Sequence, residues 1–413
     1  MKRGSVWSRG MGFVLLTGLL VGAPATAVTY GHLEFTQASV DDCADMFGTC
    51  EWKLTCTLAG GQPTEIFAAA GAVAQDIEVE KSFELKSFPA KVDCTLQEDD
   101  GWFGESWVEA GKASIDLPGG GDFLFNLKGD QGTVVLKAAV DSFEMPDGAA
   151  VPAGEPAKAA KPAKPGKARQ FIGGYLKDAK GHAVVLGLPW DAFKARIDQF
   201  AAQGVLLSSM QNWEEGGKRL WGGIFRSAKG KQELVTDLEF EPFLARFKPL
   251  FDQNMRIQDM EIYAKGNKFY FTGVYQEGTD EGNTFWLDEL TPFVAKWNSL
   301  SGGQLRLVDL NVYQASGKWR YAGVFRGGSG PYGLRYGLTW DDLQTFWKAK
   351  EAEGRTGITD LVTHNDKGKQ IWDIATGAGQ GQMTPLLEGA ALAQDWNDRV
   401  AKGFRLTTVA TVP

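Results

Sequence analysis

Histidine is almost missing from this chain: His32, His182 and His364 are the only three in 413 residues, each in a separate stretch of sequence. That scarcity excludes a multi-histidine metal centre and leaves a Ser/His/Asp or Cys/His constellation with very few bases to draw on. Cysteine is scarce too, with Cys43, Cys50, Cys56 and Cys94 all in the first quarter and no C-x-x-C spacing among them. No G-x-S-x-G elbow occurs, and no serine is followed three residues on by lysine. Beyond the N-terminus no segment approaches 18 uninterrupted apolar residues, so no transmembrane helix is expected there. An excess of positive charge is also lacking: the formal net charge is −8, and residues 28–147 hold 22 Asp or Glu against 7 Lys or Arg. Phosphate neutralisation needs a basic face, so nucleic acid is excluded as a partner and cations are favoured.

What is present begins with Lys2, Arg3 and Arg9, an apolar run from Met11 to Val21, and the small-residue stretch Ala23-Pro24-Ala25-Thr26-Ala27. This is the order of a secretory signal peptide, residues 1–27, and predicts a secreted or periplasmic protein. An even number of cysteines in an exported chain predicts two disulfides and argues against a zinc site. Trp52, Leu54, Cys56 and Leu58 alternate on one face of a strand, as do Val92, Cys94 and Leu96. Cys56 and Cys94 therefore point into one core and are the expected bridge, with Cys43 and Cys50 as a local one. Spacing leaves the other two pairings open.

The stretch 148–169 is Pro, Ala and Lys with no large apolar residue beyond Val151, and reads as a semi-extended linker. Residues 28–147, ahead of it, hold seven or eight short alternating runs separated by turns such as Gly60-Gly61 and Gly119-Gly120-Gly121, the pattern of a disulfide-bonded all-β sandwich. Residues 170–413, behind it, repeat. The hexamer Gln170 to Tyr175 recurs as Leu220 to Phe225, Tyr270 to Tyr275 and Arg320 to Phe325, and in degenerate form as Gln370 to Ala375, with a step of 50 residues. A second strand precedes the later copies (Val205 to Trp213, Met255 to Tyr263, Leu305 to Tyr313, Thr356 to His364), and a last one runs from Phe404 to Val412. Amphipathic helices lead into the hairpins, with Trp190, Phe193, Ile197 and Phe200 on one stripe and Phe240, Phe243, Phe247 and Leu250 on the next. The fold class is α+β, an N-terminal sandwich followed by five helix-strand-strand repeats. The unpaired strands at either end, Gln170–Tyr175 and Phe404–Val412, are expected to pair and close the repeats into a ring, with an open solenoid as the alternative.

The repeats resemble the bacterial tandem repeat domain family, the polyglycine hydrolase-like structural repeat, through Leu305-Arg306-Leu307-Val308-Asp309-Leu310-Asn311-Val312-Tyr313 followed by Trp319 to Phe325. In fungal polyglycine hydrolases such repeats accompany a serine β-lactamase-like domain whose nucleophile lies in a Ser-x-x-Lys motif. That motif is missing here, so the resemblance implies the scaffold and not the activity. Asp373 stands where the 50-residue step puts a glycine, which sets the fifth hairpin apart. Residues 28–147 are similar to the calcium-dependent lipid-binding sandwich first described in protein kinase C, through Val92 to Gly101 and Gly111 to Leu117; the cysteines are not part of that pattern.

Asp41, Asp42, Glu98, Asp99, Asp100 and Glu105 could meet at one pole of the sandwich, and hard oxygen ligands in that number would suit Ca²⁺ as a cofactor; two solvated acidic turns are the alternative. Asp259, Asp309 and Asp360 recur in the first strand of the hairpins, where a hydrogen-bonding role is favoured over a ring of ligands. Most of the 14 Trp fall at core spacing. Trp102, Phe103 and Tyr332 are the candidate surface contacts, the first two as an anchor for a membrane surface or a partner. The leading expectation is a secreted, non-catalytic binding or scaffolding protein whose partner is an extracellular protein, peptide or glycan. The alternatives are an extracellular hydrolase with a carboxylate pair and a calcium-regulated surface-attachment module.

Overall fold

A computed structural model describes residues 27–41, 52–58, 61–69, 75–85, 90–99, 107–117, 120–128, 133–146, 169–178, 180–280 and 282–412. The N-terminal strands are β1 (Ala27–Asp41), β2 (Trp52–Leu58), β3 (Thr64–Ala69), β4 (Gln75–Leu85), β5 (Ala90–Asp99), β6 (Trp107–Leu117), β7 (Gly121–Lys128) and β8 (Thr133–Pro146). They form two sheets, one ordered β4-β1-β8-β7 and the other β3-β2-β5-β6. Both feed one apolar core containing Leu33, Phe35, Trp52, Leu54, Val92, Leu96, Phe125 and Leu136. Because side chains alternate along a strand, the positions that carry Trp52 and Leu54 inward carry Cys56 inward too. Cys56 lies directly opposite Cys94 in the antiparallel β2–β5 register, and the two form the expected disulfide. Cys43, Cys50, residues 1–26 of the signal sequence and residues 148–168 of the linker lie outside the described residues.

The rest of the chain comprises β9 (Gln170–Lys177), β10 (His182–Leu188), α1 (Trp190–Ala201), β11 (Val205–Glu215), β12 (Lys218–Ser227), β13 (Gln232–Leu238), α2 (Phe240–Asp252), β14 (Met255–Lys265), β15 (Lys268–Glu277), β16 (Asn283–Asp288), α3 (Leu290–Gly302), β17 (Leu305–Ala315), β18 (Lys318–Gly327), β19 (Gly333–Leu338), α4 (Trp340–Glu353), β20 (Thr356–Asp366), β21 (Lys369–Ala378), β22 (Gly381–Met383), β23 (Leu387–Glu388), α5 (Gly389–Val400) and β24 (Phe404–Val412). The unit is strand-helix-strand-strand, one strand more than the sequence pattern suggests. That extra strand pairs with the far strand of the following hairpin, giving three-stranded sheets such as β13-β15-β14 and β16-β18-β17. It escapes pattern reading because it is six or seven residues long in four units and split into β22 and β23 in the last, and in three units it is broken by a bulge holding a left-handed residue: Gly187, Asp237 or Gly337. The end strands β9 and β24 pair antiparallel, as expected. The five hairpin strands β11, β14, β17, β20 and β24 touch one another in that order, and β24 also touches β11.

One glycine in each of three hairpins is required by a close approach. A Cβ on Gly223, Gly273 or Gly323 would stand 2.8, 2.9 or 3.0 Å from the ring of Phe193, Phe243 or Phe293 on the helix above. The fourth unit solves the same packing differently, and this corrects the 50-residue frame. Asp309 pairs with Val324 and its counterpart Asp360 with Ala375, so the step here is 51 residues. Asp373 therefore occupies the place of Ala322, and Ile374 that of the glycine. Leu343 replaces the phenylalanine in this unit and packs with Ile374 in one core. The hairpin keeps the register and bulge of its siblings, and the Asp373 carboxylate accepts a bond from Gly337 N at 2.8 Å.

The two parts of the chain share a sheet. β8 runs parallel to β10, pairing Ser142 with Ala183 and Phe143 with Val184, so the first repeat sheet continues into β8, β1 and β4. Phe143 is buried in the same cluster as Trp396, Leu392 and Leu406. Among the described residues no helix is long and apolar enough to cross a membrane.

Gly323→Ala should lower the stability of the repeats by about 1–3 kcal/mol, because the methyl must displace Phe293 or Leu307. Adding Phe293→Leu, which copies the fourth unit's pairing, should return at least half of that in urea denaturation.

Candidate functional site

Each of β11, β14, β17, β20 and β24 has a bulge at the same point, between Leu207 and Ser209, Ile257 and Asp259, Leu307 and Asp309, Ile358 and Asp360, and Leu406 and Thr408. A bulge leaves one residue outside the ladder and re-aims its neighbours. The residues so released, Ser208, Gln258, Val308, Thr359 and Thr407, all line a single cavity of about 280 Å³. Ser209, Asp259, Asp360 and Arg226 complete its polar wall. Arg226 is held there by Asp178 at 3.0 Å and by the carbonyl of Leu406 at 2.7 Å.

The residue just after each bulge forms a second series: Ser209, Asp259, Asp309, Asp360, Thr408. Its carboxylates reach across to the preceding unit. Asp259 Oδ2 accepts from Met210 N at 3.1 Å, Asp309 Oδ2 from Met260 N at 3.2 Å, and Asp360 Oδ2 from Leu310 N at 2.7 Å. Asp360 Oδ1 also accepts from Leu361 N and from the Thr408 hydroxyl, at 2.8 and 2.7 Å. The hydrogen-bonding role expected of these repeated carboxylates is therefore the one observed. They are nonetheless unevenly satisfied, since Oδ1 of Asp259, on a residue 3% exposed and facing the cavity, has no hydrogen-bond partner.

Burial and mutual repulsion hold these groups toward the neutral form. Desolvation first, and then the Asp360 charge, push Asp259 well above the usual carboxylate range. Asp309 is raised likewise by burial and by Asp259, Asp360 and Glu261, and burial also raises Asp360. A cluster of this kind next to a polar cavity suits a small ligand that can donate hydrogen bonds.

His182 has the partners of a catalytic base but not the access. Its Nδ1 lies 2.7 Å from Asp141 Oδ1, its Nε2 accepts from the Trp396 indole at 3.0 Å, and Arg405 Nε is 2.8 Å from the same Asp141 oxygen. His182, Asp141 and Arg405 are fully buried, and desolvation lowers the His182 pKa to about 4. With both ring nitrogens engaged, it is a neutral strut between β8, β10 and α5. Sequence reading missed this set because Asp141, His182 and Trp396 come from three distant segments with no shared motif.

The other expected residues are dispersed. Asp41 ends β1, and Glu98 and Asp99 end β5 beside the start of β2, where Glu98 pairs with Trp52 in the backbone register. Asp42, Asp100, Glu105, Trp102 and Phe103 lie outside the described residues, as do the side chains of Asp41, Glu98 and Asp99. Among the described residues no group of three or more His, Cys, Asp or Glu is placed to hold a metal ion. Tyr332 is exposed, but Arg306 lies over its ring at 4.3 Å and Trp297 meets it edge-on at 5.7 Å. Trp286, half-exposed beneath Lys296, was not singled out from sequence.

Residues 291–326, which span most of α3, β17 and β18, match the family model described as polyglycine hydrolase-like, structural repeat. No curated protein matches the chain. Among solved structures, a C2 domain of plant extended synaptotagmin 1 is 12% identical, covering 28% of this chain and 95% of that one, with a TM-score of 0.23. Human GIVD cytosolic phospholipase A2 is 9% identical over 80% of this chain and 37% of its own length, with a TM-score of 0.24. These likenesses assign no function.

A carboxyl whose pKa is higher in the folded than in the unfolded chain stabilises the fold fully below the unfolded value, here 3.8, and loses that contribution as the pH climbs through the folded value. Asp309→Asn removes the titration. The difference in melting temperature, variant minus wild type, should therefore increase steadily above about pH 4. Parallel calorimetric melts in low salt would reveal a flat difference if Asp309 were not raised.

Proposed function

We propose that this is a secreted, non-catalytic binding protein, its five units arranged as a ring whose centre seats the ligand and its N-terminal strands forming a sandwich joined to the first unit. The convergence of the five bulges on one cavity carries the reading, and the contacts of β24 with both β20 and β11 support the ring. Export is supported by the signal-like N-terminus and by the disulfide, a bond favoured in oxidising compartments. A space of about 280 Å³ takes a small polar molecule or the tip of a longer peptide or glycan. Its polar wall offers acceptors at Asp259 and Asp360, hydroxyls at Ser208, Thr359 and Thr407, and one cation at Arg226.

The hydrolase reading has one observation in its favour: Asp259 and Asp360 face the same cavity, and both are held toward the protonated form a general acid needs. Native mass spectrometry of protein purified from its own growth medium would test the binding reading. A small bound mass, released on denaturation and missing from Thr359→Trp, is the expected result; no bound mass in either protein would count against a seat at the centre. Turnover of a peptide, ester or glycoside substrate that is abolished by Asp259→Asn would favour the hydrolase instead.

A further inference from the structure

A second cleft, of about 410 Å³, opens between the first and second units at the hairpin tips and shares no lining residue with the first cavity. Its floor is aromatic: Trp190 lies 4.7 Å from Trp221, which meets Tyr263 edge-on at 5.3 Å. Four charged side chains line it, and they neutralise one another. Arg219 bonds Glu214 at 2.6 Å and covers the Tyr263 ring at 4.5 Å. Lys265 and the Tyr263 hydroxyl both donate to Asp237 Oδ1.

Two features distinguish this junction from those that follow it. The place of Arg219 is taken in the next two units by Phe269 and Trp319, whose rings pack on Tyr313 at 5.2 Å and on His364 at 4.3 Å. Of these three positions, the first alone carries a charge. Asp237 takes φ 57°, a left-handed conformation that Asp adopts more readily than most residues with a Cβ, at the position where the first and fourth units have Gly187 and Gly337, and so places there a carboxylate that the glycines lack.

We infer that this cleft is a binding subsite for a neutral saccharide. Trp190, the half-buried member of the aromatic floor, can meet the apolar face of a sugar ring, and fixed, mutually paired charges offer donors and acceptors to hydroxyls while presenting no net charge to attract an ion. Both bonds to Asp237 fall on Oδ1, which leaves Oδ2 for a ligand hydroxyl. The inference builds on the binding-protein reading but uses a different site, so the two can fail separately.

The test is calorimetric titration of cellotetraose, chitotetraose, maltotetraose and pentaglycine into the full chain and into Asp237→Gly, Lys265→Ala and Thr359→Trp. Saturable binding of at least one of the three saccharides is expected, weakened about tenfold or more by the first two variants and unchanged by Thr359→Trp. Asp237→Gly removes the positive-φ cost but forfeits the bonds from Lys265 and the Tyr263 hydroxyl, so its melting temperature is measured beside the titration, and an unchanged value excludes misfolding as the cause of lost binding. Silence with all three saccharides, binding indifferent to Asp237 and Lys265, or binding of pentaglycine alone would overturn the inference. Saccharide binding lost only in Thr359→Trp would move the sugar to the central cavity.

Discussion

A bulge in a β-strand disturbs the ladder, and a buried backbone N–H beside it must find an acceptor elsewhere. In this chain a carboxylate of the next unit provides it: Asp259 for Met210, Asp309 for Met260, Asp360 for Leu310. The rest of the repeat architecture depends on this exchange. It fixes how far each unit is displaced from the last and keeps the five bulges level, so that the residues they release face one space. It also forces three acidic groups into a buried setting, where neutrality is cheaper than charge. The two remaining positions of the series, Ser209 and Thr408, hold hydroxyls, which limits the build-up of like charge.

The N-terminal strands are attached to this framework by hydrogen bonds of the same kind that hold each sheet together. The parallel pairing of β8 with β10 brings Asp141 beside His182 and Arg405, and Phe143 beside Trp396. A buried histidine accepting from an indole and meeting a carboxylate is satisfied on both nitrogens, so the join is specific as well as apolar. Part of the acidic excess of residues 28–147 serves this contact: Asp141 meets Arg405 at 2.8 Å, Glu144 accepts from Arg196 at 2.6 Å and Asp122 accepts from Gly181 N at 3.0 Å.

Much of the repeat was legible in sequence because its helices and long hairpin strands have strong periodicity: Phe193, Phe243 and Phe293 recur with the glycines they cover. The register of the fifth copy was misread by one residue, since a step of 50 fits four copies and nothing in Gln370 to Ala375 reveals the extra residue before β20. The first strands do step by 51, from Asp309 to Asp360, and the pairing of Asp360 with Ala375 carries that shift into the second strand. The short strand that opens a unit was invisible for a different reason: it is seven residues at most, and in three units a bulge and a left-handed residue interrupt its alternation. Alternation did suffice for the bridge between Cys56 and Cys94. Neither cleft was foreseen, because each is lined by residues about 50 positions apart that converge only through packing of one unit on the next.

The pairing of β9 with β24 joins segments more than 220 residues apart, as in the bond between Thr407 and Gly174. During synthesis the strand at Gln170–Lys177 leaves the ribosome long before Phe404–Val412 exists. At usual elongation rates of about 5–20 residues per second, its edge stays open for on the order of ten seconds or more. Each intervening unit can form its own hairpin from neighbouring residues in that time, so the slow, entropically costly event is the last one. Until it happens, β9 is an exposed strand edge that another copy's β24 could occupy, which makes exchange of the terminal strand between molecules the characteristic way for this protein to misassemble.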